Sequence, residues 1–216
     1  MQKPLLQIAL DCLTLEEAMT TLTMVGDIVD VIEVGTILLC AEGKRAITAI
    51  KECYPNKIVL TDGKIADAGK ILGEMLFTAK ADIITVICCA DLATIKNVVT
   101  LAKTAKKDMQ IELTGQWDFE QAKSWRAVGV EQVVYHRSRD AQAAGSQWGA
   151  ADFDKITQLV ALGFKVTLTG GVEITDLALF TAFPIYIVIA GRAIRDAADP
   201  REAALSFQQQ LQTKWQ

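Results

Sequence analysis

Apolar residues in this chain come in short runs, and the runs recur. They are Leu5-Leu6-Gln7-Ile8-Ala9-Leu10, Val31-Ile32-Glu33-Val34, Ile58-Val59-Leu60, Ile83 to Cys89, Met109 to Thr114, Gln132 to His136, Lys165 to Thr169 and Tyr186 to Ala190. Each is too short for a helix and too uniformly apolar for a sheet with one wet face, so each predicts a strand buried on both sides. Longer stretches of helical period lie between them. They run from Leu15 to about Val25 behind Thr14, from Glu42 to Cys53 before Pro55, and from Ala68 to Ala79 with Asp67 at the N-cap. Others run from Leu92 to Ala105, from Asp118 to near Gly129, from Phe153 to Leu162 before Gly163, and from about Pro200 to Trp215. Arg137 to Gly149 is the longest connection.

Eight β-then-α units at a spacing of roughly 25 residues predict an α/β fold, a (β/α)8 TIM barrel. No linker or composition shift divides them, so residues 1–216 read as one domain. An open doubly wound sheet would normally carry a glycine-rich turn after its first strand, and Asp11-Cys12-Leu13 is not one.

Composition narrows the function. The net charge of -4 argues against a nucleic-acid surface. No apolar run reaches membrane-spanning length, and Met1-Gln2-Lys3-Pro4 leads straight into a strand rather than a signal peptide. Neither a nucleic acid nor a membrane is therefore expected as a partner. The five cysteines form no C-x-x-C pair, which disfavours zinc and thiol chemistry and points to a reducing cytoplasm.

The strand ends carry the chemistry. In order they are Asp11, Glu33, Asp62 with Lys64, Glu112, His136, Thr169 with Gly170-Gly171, and Gly191-Arg192. In a barrel these converge on the C-terminal mouth, where active sites lie. Any one acid there could simply mark the chain surfacing. Four acids, a lysine and the chain's one histidine at the same end call for a site. Asp62 and Lys64 are two apart, so on a strand they share a face. Glu33 and Asp62 offer hard oxygen ligands suited to Mg²⁺; a metal-free pairing with Lys64 is the alternative. Gly170-Gly171 and Gly191-Arg192 occupy the usual phosphate position of barrels, or are plain turn glycines. His136 ends a strand beside the basic loop Arg137-Ser138-Arg139-Asp140, whose length suits a lid.

With these residues assembled, the chain resembles the orotidine-monophosphate decarboxylase superfamily, marked by D-x-K-x-x-D at Asp62, Lys64 and Asp67. Within it, the 3-keto-L-gulonate 6-phosphate decarboxylases are the most similar family. The likeness spans the chain. Its stretches are Ala9-Leu10-Asp11, Glu33-Val34-Gly35-Thr36, Thr61 to Lys70, Glu112 to Gly115, Tyr135 to Asp140 and Ala190-Gly191-Arg192. It implies a Mg²⁺-dependent homodimer of L-ascorbate catabolism, forming L-xylulose 5-phosphate and CO₂. By position, Glu33 and Asp62 would bind metal, Lys64 would contact the enediolate, and Asp67 would enter the partner subunit's site. Glu112, His136 and Arg139 would deliver the proton. Asp11, Asp62 and Thr169 would contact substrate, and Gly171, Gly191 and Arg192 would hold its phosphate. Gly63 stands where the superfamily usually has Ala or Met, which could loosen the positioning of Asp62 and Lys64. A hexulose-phosphate synthase, adding formaldehyde to the same kind of enediolate, is the runner-up, and a non-catalytic sugar-phosphate binder is the third reading.

Overall fold

The computed structural model describes residues 1–215, apart from the side chains of Arg139 and Ala141. Eight parallel strands pair in sequence order, and the last returns to the first, closing a barrel. They are β1 (Leu5–Leu10), β2 (Val31–Val34), β3 (Ile58–Ile65), β4 (Ile83–Ile87), β5 (Asp108–Leu113), β6 (Gln132–His136), β7 (Lys165–Thr169) and β8 (Ile185–Ala190). The expected (β/α)8 architecture is present.

The unbroken apolar runs follow from burial on both faces. In β1, Leu6, Ile8 and Leu10 join the outer core beneath the helices, while Ala9 joins an inner core with Val31, Leu60, Ile83, Val134, Ile187 and Ile189. The barrel interior is also polar in places. Gln7, Thr85, Gln110, Gln132 and Thr167 are buried, and Gln110 Nε2 donates to Gln132 Oε1 at 3.0 Å.

Most helix starts obey their caps. Thr14 accepts the Glu17 N–H at the head of α1 (Leu15–Val25). Asp91 accepts from Ala93 at α5 (Leu92–Ala105), and Asp118 forms a capping box with Gln121 at α6 (Phe119–Ala127). Asp199 accepts from Glu202 at α10 (Pro200–Lys214).

Several boundaries depart from expectation. The helix read over Glu42–Cys53 is α3 (Lys44–Cys53), and an unread helix, α2 (Thr36–Glu42), precedes it, the two separated at Gly43 with φ 60°. Helix α4 (Gly69–Thr78) begins after Ala68, which is left-handed, so Asp67 is not its N-cap. β3 continues to Ile65 with a register shift against β4 after Thr61, and Lys64 takes φ 40°. The chain therefore enters α4 late. There a Cβ on Gly69 would stand 2.7 Å from Thr94 O, so only glycine lets α4 approach α5 this closely. Helix α8 (Ala150–Ala161) starts three residues before Phe153, since Asp152 accepts the Gly149 N–H at 2.8 Å. Between β7 and β8 the connection is a 3-10 helix, Ile174–Phe180, in place of an α-helix; its steeper rise, about 2.0 Å per residue, spans the gap with fewer residues. Two further short helices went unread besides α2, namely α7 (Arg139–Ala143) inside the long connection and α9 (Arg192–Arg195) after β8.

At the opposite end from the strand-end acids, Asp82 ties three elements together. Its carboxylate accepts from Lys51 Nζ at 2.7 Å, from Lys107 Nζ at 2.6 Å and from the Val59 N–H at 2.9 Å. Burial pushes its pKa up, but the two ammonium groups and the N–H outweigh that and hold it below the ordinary value. A depressed folded-state pKa gives stability that is present above the unfolded-state pKa and lost as pH falls through the folded one. Asp82→Asn is expected to cost about 1–3 kcal/mol in urea unfolding at pH 7. The difference from wild type should narrow as pH drops below the usual carboxylate range. A cost that does not change with pH would mean the charge contributes nothing.

Candidate active site

The barrel mouth gathers its side chains from successive strand ends. Asp62 is the most heavily tied. Thr36 Oγ1 donates to Oδ2 at 2.7 Å and Thr85 Oγ1 to Oδ1 at 2.7 Å. Lys64 Nζ also pairs with Oδ2. The left-handed turn at Lys64 takes its N–H out of the strand ladder, and that N–H bonds Thr85 Oγ1 at 2.9 Å instead. Lys64 thus still faces Asp62, but through a kink rather than regular strand alternation. At Gly63 a Cβ would sit 2.9 Å from Leu76 Cδ1, so the glycine gives room to the packing of α4.

From Lys64 the polar run continues across the mouth. Lys64 Nζ donates to Glu112 Oε2 at 2.8 Å, and Glu112 Oε1 lies 2.6 Å from His136 Nδ1. An ionised Glu112 only accepts, so Nδ1 carries the proton and Nε2 is left for other partners. Burial opposes a charge on Lys64, but Asp62 and Glu112 outweigh it and raise its pKa well above the ordinary lysine value. The ammonium stays charged at neutral pH. Burial likewise pushes Asp62 up, yet Lys64, then Glu112 and the Thr36 hydroxyl, bring it below the ordinary value.

Glu33 behaves in the opposite way. Burial, then the Asp62 and Asp11 carboxylates, drive its pKa well above the ordinary value, with Gln7 Nε2 the hydrogen-bond donor at 2.7 Å. Three acids face one another here with Lys64 already shared between two carboxylates. The Glu33 and Asp62 carboxylates therefore lie close enough to repel. No group of three or more His, Cys, Asp or Glu encloses an ion-sized site among the described residues. Two carboxylates completed by substrate oxygens and water are what Mg²⁺ takes, so Glu33 and Asp62 fit it.

The second half of the mouth is built on glycine. Gly170 and Gly171 have φ of 108° and 64°. A Cβ on Gly170 would collide with Arg137 O, and one on Gly171 would collide with Gln142 Oε1. Arg137 donates to Gly170 O at 2.9 Å and Gly171 O at 3.2 Å, and its guanidinium lies 4.5 Å over the Trp148 ring. Arg192 Nη2 donates to Gln142 Oε1 at 2.9 Å. Two adjoining cavities result, of about 290 and about 310 Å³. Gly171, Gly191 and Arg192 line the first; Glu33, Asp62, Lys64 and Glu112 line the second; Asp11, His136 and Thr169 border both.

Of the residues singled out in the sequence, these strand-end groups share one mouth. Asp67 is exposed and lines neither cavity. The side chain of Arg139 lies outside the described residues. Thr36, Thr85, Gln7, Arg137 and Gln142 were missed. Gln7 and Thr85 carried a legible signal, a polar residue in an otherwise apolar strand buried on both faces.

The family model for the orotidine 5'-phosphate decarboxylase / HUMPS family matches residues 4–207. The 3-keto-L-gulonate-6-phosphate decarboxylase UlaD of Escherichia coli is 55% identical over 215 residues, covering 100% of both chains. A structure of KGPDC from Streptococcus mutans superposes with a TM-score of 0.97 at 38% identity, covering 100% of both chains. The 3-hexulose-6-phosphate synthase from Salmonella typhimurium gives a TM-score of 0.91 at 36% identity, covering 97% of this chain and 99% of that one.

Proposed function

We propose, from the premise that this chain belongs to the orotidine 5'-phosphate decarboxylase / HUMPS family, that it converts 3-keto-L-gulonate 6-phosphate to L-xylulose 5-phosphate and CO₂. The observation that carries this reading is the hydrogen-bonded run Lys64–Glu112–His136, which joins a charge stabiliser to a proton source. The relative that matches over its full length is a decarboxylase of this substrate.

Loss of CO₂ from a β-keto acid leaves an electron pair that spreads into an enediolate. The Lys64 ammonium, held by Asp62 and Glu112, meets that charge as it develops, and one such preorganised donor is typically worth about 2.7–4 kcal/mol. Mg²⁺ held by Glu33 and Asp62 would supply Lewis-acid stabilisation of the substrate's oxygens. His136, with Nδ1 on Glu112, is positioned for protonating the carbanion from Nε2, directly or through water. Arg139 belongs to this proton-delivery role by its place in the loop. Asp11 and Thr169 contact the substrate between the two halves. Gly171, Gly191 and Arg192 take the phosphate, whose binding energy holds the reacting end in place. A synthase must take a proton from the same carbon to form its enediolate, so Glu112–His136 serves either chemistry; the decarboxylase is favoured by its nearer relative, 55% identical against 36% for the synthase.

The active form is a homodimer in which Asp67 enters the partner's mouth. Its exposure fits, and so do Ile71 at 69% and Met75 at 43% exposed on the helix just beyond it. Such large apolar groups on one helix suit a surface that a second copy covers. The reading places one barrel domain over residues 1–216 in the cytoplasm, where the free thiols stay reduced.

Incubation with 3-keto-L-gulonate 6-phosphate and Mg²⁺ tests the proposal. CO₂ should be released, EDTA should abolish the release and Mg²⁺ restore it. Full turnover by metal-free enzyme would remove the metal. Faster condensation of formaldehyde with ribulose 5-phosphate than decarboxylation would favour the synthase.

A further inference from the structure

We propose that Gln7 is a positioning residue that sets the orientation of the Glu33 carboxylate for the cation; this rests on the reading of Glu33 as a metal ligand. Gln7 is completely buried, inside the barrel below the mouth. Its register partners on β2 and β8 are Val31 and Ile189, both members of the inner apolar core. An apolar side chain would therefore fill this position at lower cost. Instead Gln7 Nε2 donates to Glu33 Oε2 at 2.7 Å. It is the only hydrogen bond to the Glu33 carboxylate among the described residues. It fixes one carboxylate oxygen toward the barrel floor and leaves Oε1 for the cavity shared with Asp62.

The orphaned end of the same amide strengthens the case. Gln7 Oε1 is buried with no protein hydrogen-bond partner among the described residues. A buried unsatisfied acceptor is costly and rare. Turning the amide over would set its carbonyl against the carboxylate of Glu33, acceptor facing acceptor. The amide orientation is thus dictated by Glu33, and the barrel carries an unsatisfied carbonyl to keep that donor in place. Without the donor, no hydrogen bond among the described residues keeps the Glu33 carboxylate from rotating away from Asp11 and Asp62. Groups that orient a metal ligand from behind typically govern affinity by about 10–100-fold.

Calorimetric titration of purified protein with Mg²⁺ alone reads this directly. Gln7→Met and Gln7→Leu should each raise the Kd for Mg²⁺ by about 10–100-fold, while thermal unfolding is unchanged or shifted upward. The Kd for inorganic phosphate, which reports the glycine half of the mouth, should not move. Glu33→Gln serves as the reference for the metal itself. If Glu33→Gln loses Mg²⁺ and both Gln7 variants bind it as wild type does, the positioning role is overturned and the metal reading stands. If Glu33→Gln also binds normally, the metal reading has failed and this inference with it. Parallel loss of Mg²⁺ and phosphate affinity in the Gln7 variants would mean general disorder of the mouth, and that too overturns the role.

Discussion

Glu112→Gln is expected to lower kcat by about 10²–10³-fold while leaving a folded barrel. The side chain is buried, with one oxygen on Lys64 Nζ and the other on His136 Nδ1. Both neighbours donate, so the position needs two acceptors. An amide offers one acceptor and one donor. With its oxygen on the ammonium, the substituted amide would turn its NH₂ to Nδ1, which accepts it only by shifting the ring proton to Nε2. The ring would lose the carboxylate that stabilises its charged form, and the Lys64 ammonium would lose one of its two counter-charges. The change is isosteric, so a thermal melt separates this loss from unfolding. Steady-state decarboxylation kinetics check it. A kcat within a few-fold of wild type would show that the run across the mouth is not part of the mechanism.

Mixing two inactive chains is expected to restore about a quarter of wild-type activity, because the dimer contact would be isologous. The chains are Lys64→Ala and Asp67→Ala. Within one protomer Lys64 already pairs with Asp62 and Glu112, while Asp67 is exposed. If Asp67 completes the partner's mouth, a mixed dimer has one site with both lesions and one with neither. Random exchange makes half the dimers mixed, and each carries one intact site. Activity is read after subunit exchange has been confirmed with a mass-tagged chain. Exchange without recovery would assign Asp67 to its own barrel and leave the dimer without a catalytic reason.

The fold was largely legible because the barrel buries its strands on both faces, so each strand announces itself as an apolar run. β6 and β7 carry the residues assigned from sequence, Gln132–His136 and Lys165–Thr169. Helix entries were less legible where glycine or a left-handed residue did the work. Nothing local in Thr36–Cys53 announces two helices except Gly43, and Ala68 gives no hint of its φ of 51°. Of the site, the charged groups were legible because strand ends converge. What the charges rest on was not. Thr36 and Thr85 grip Asp62, and Gln142 reaches Arg192, only through contacts between segments far apart in the chain. Such partnerships leave no local pattern.

The barrel closes where β8 meets β1, with Leu5 beside Ile187 and Ile8 beside Ala190. This is the strand pairing of greatest sequence separation in the molecule, and its loop-closure cost is the largest and slowest to be repaid. The same seam runs through the substrate cavity: Asp11 follows β1 on one side, Gly191 and Arg192 follow β8 on the other. A chain that has paired β1 through β7 already holds the carboxylates, Lys64 and His136, but has no second wall for the phosphate. Catalytic competence is therefore a property of the finished ring. During refolding, turnover is expected no earlier than closure of the ring.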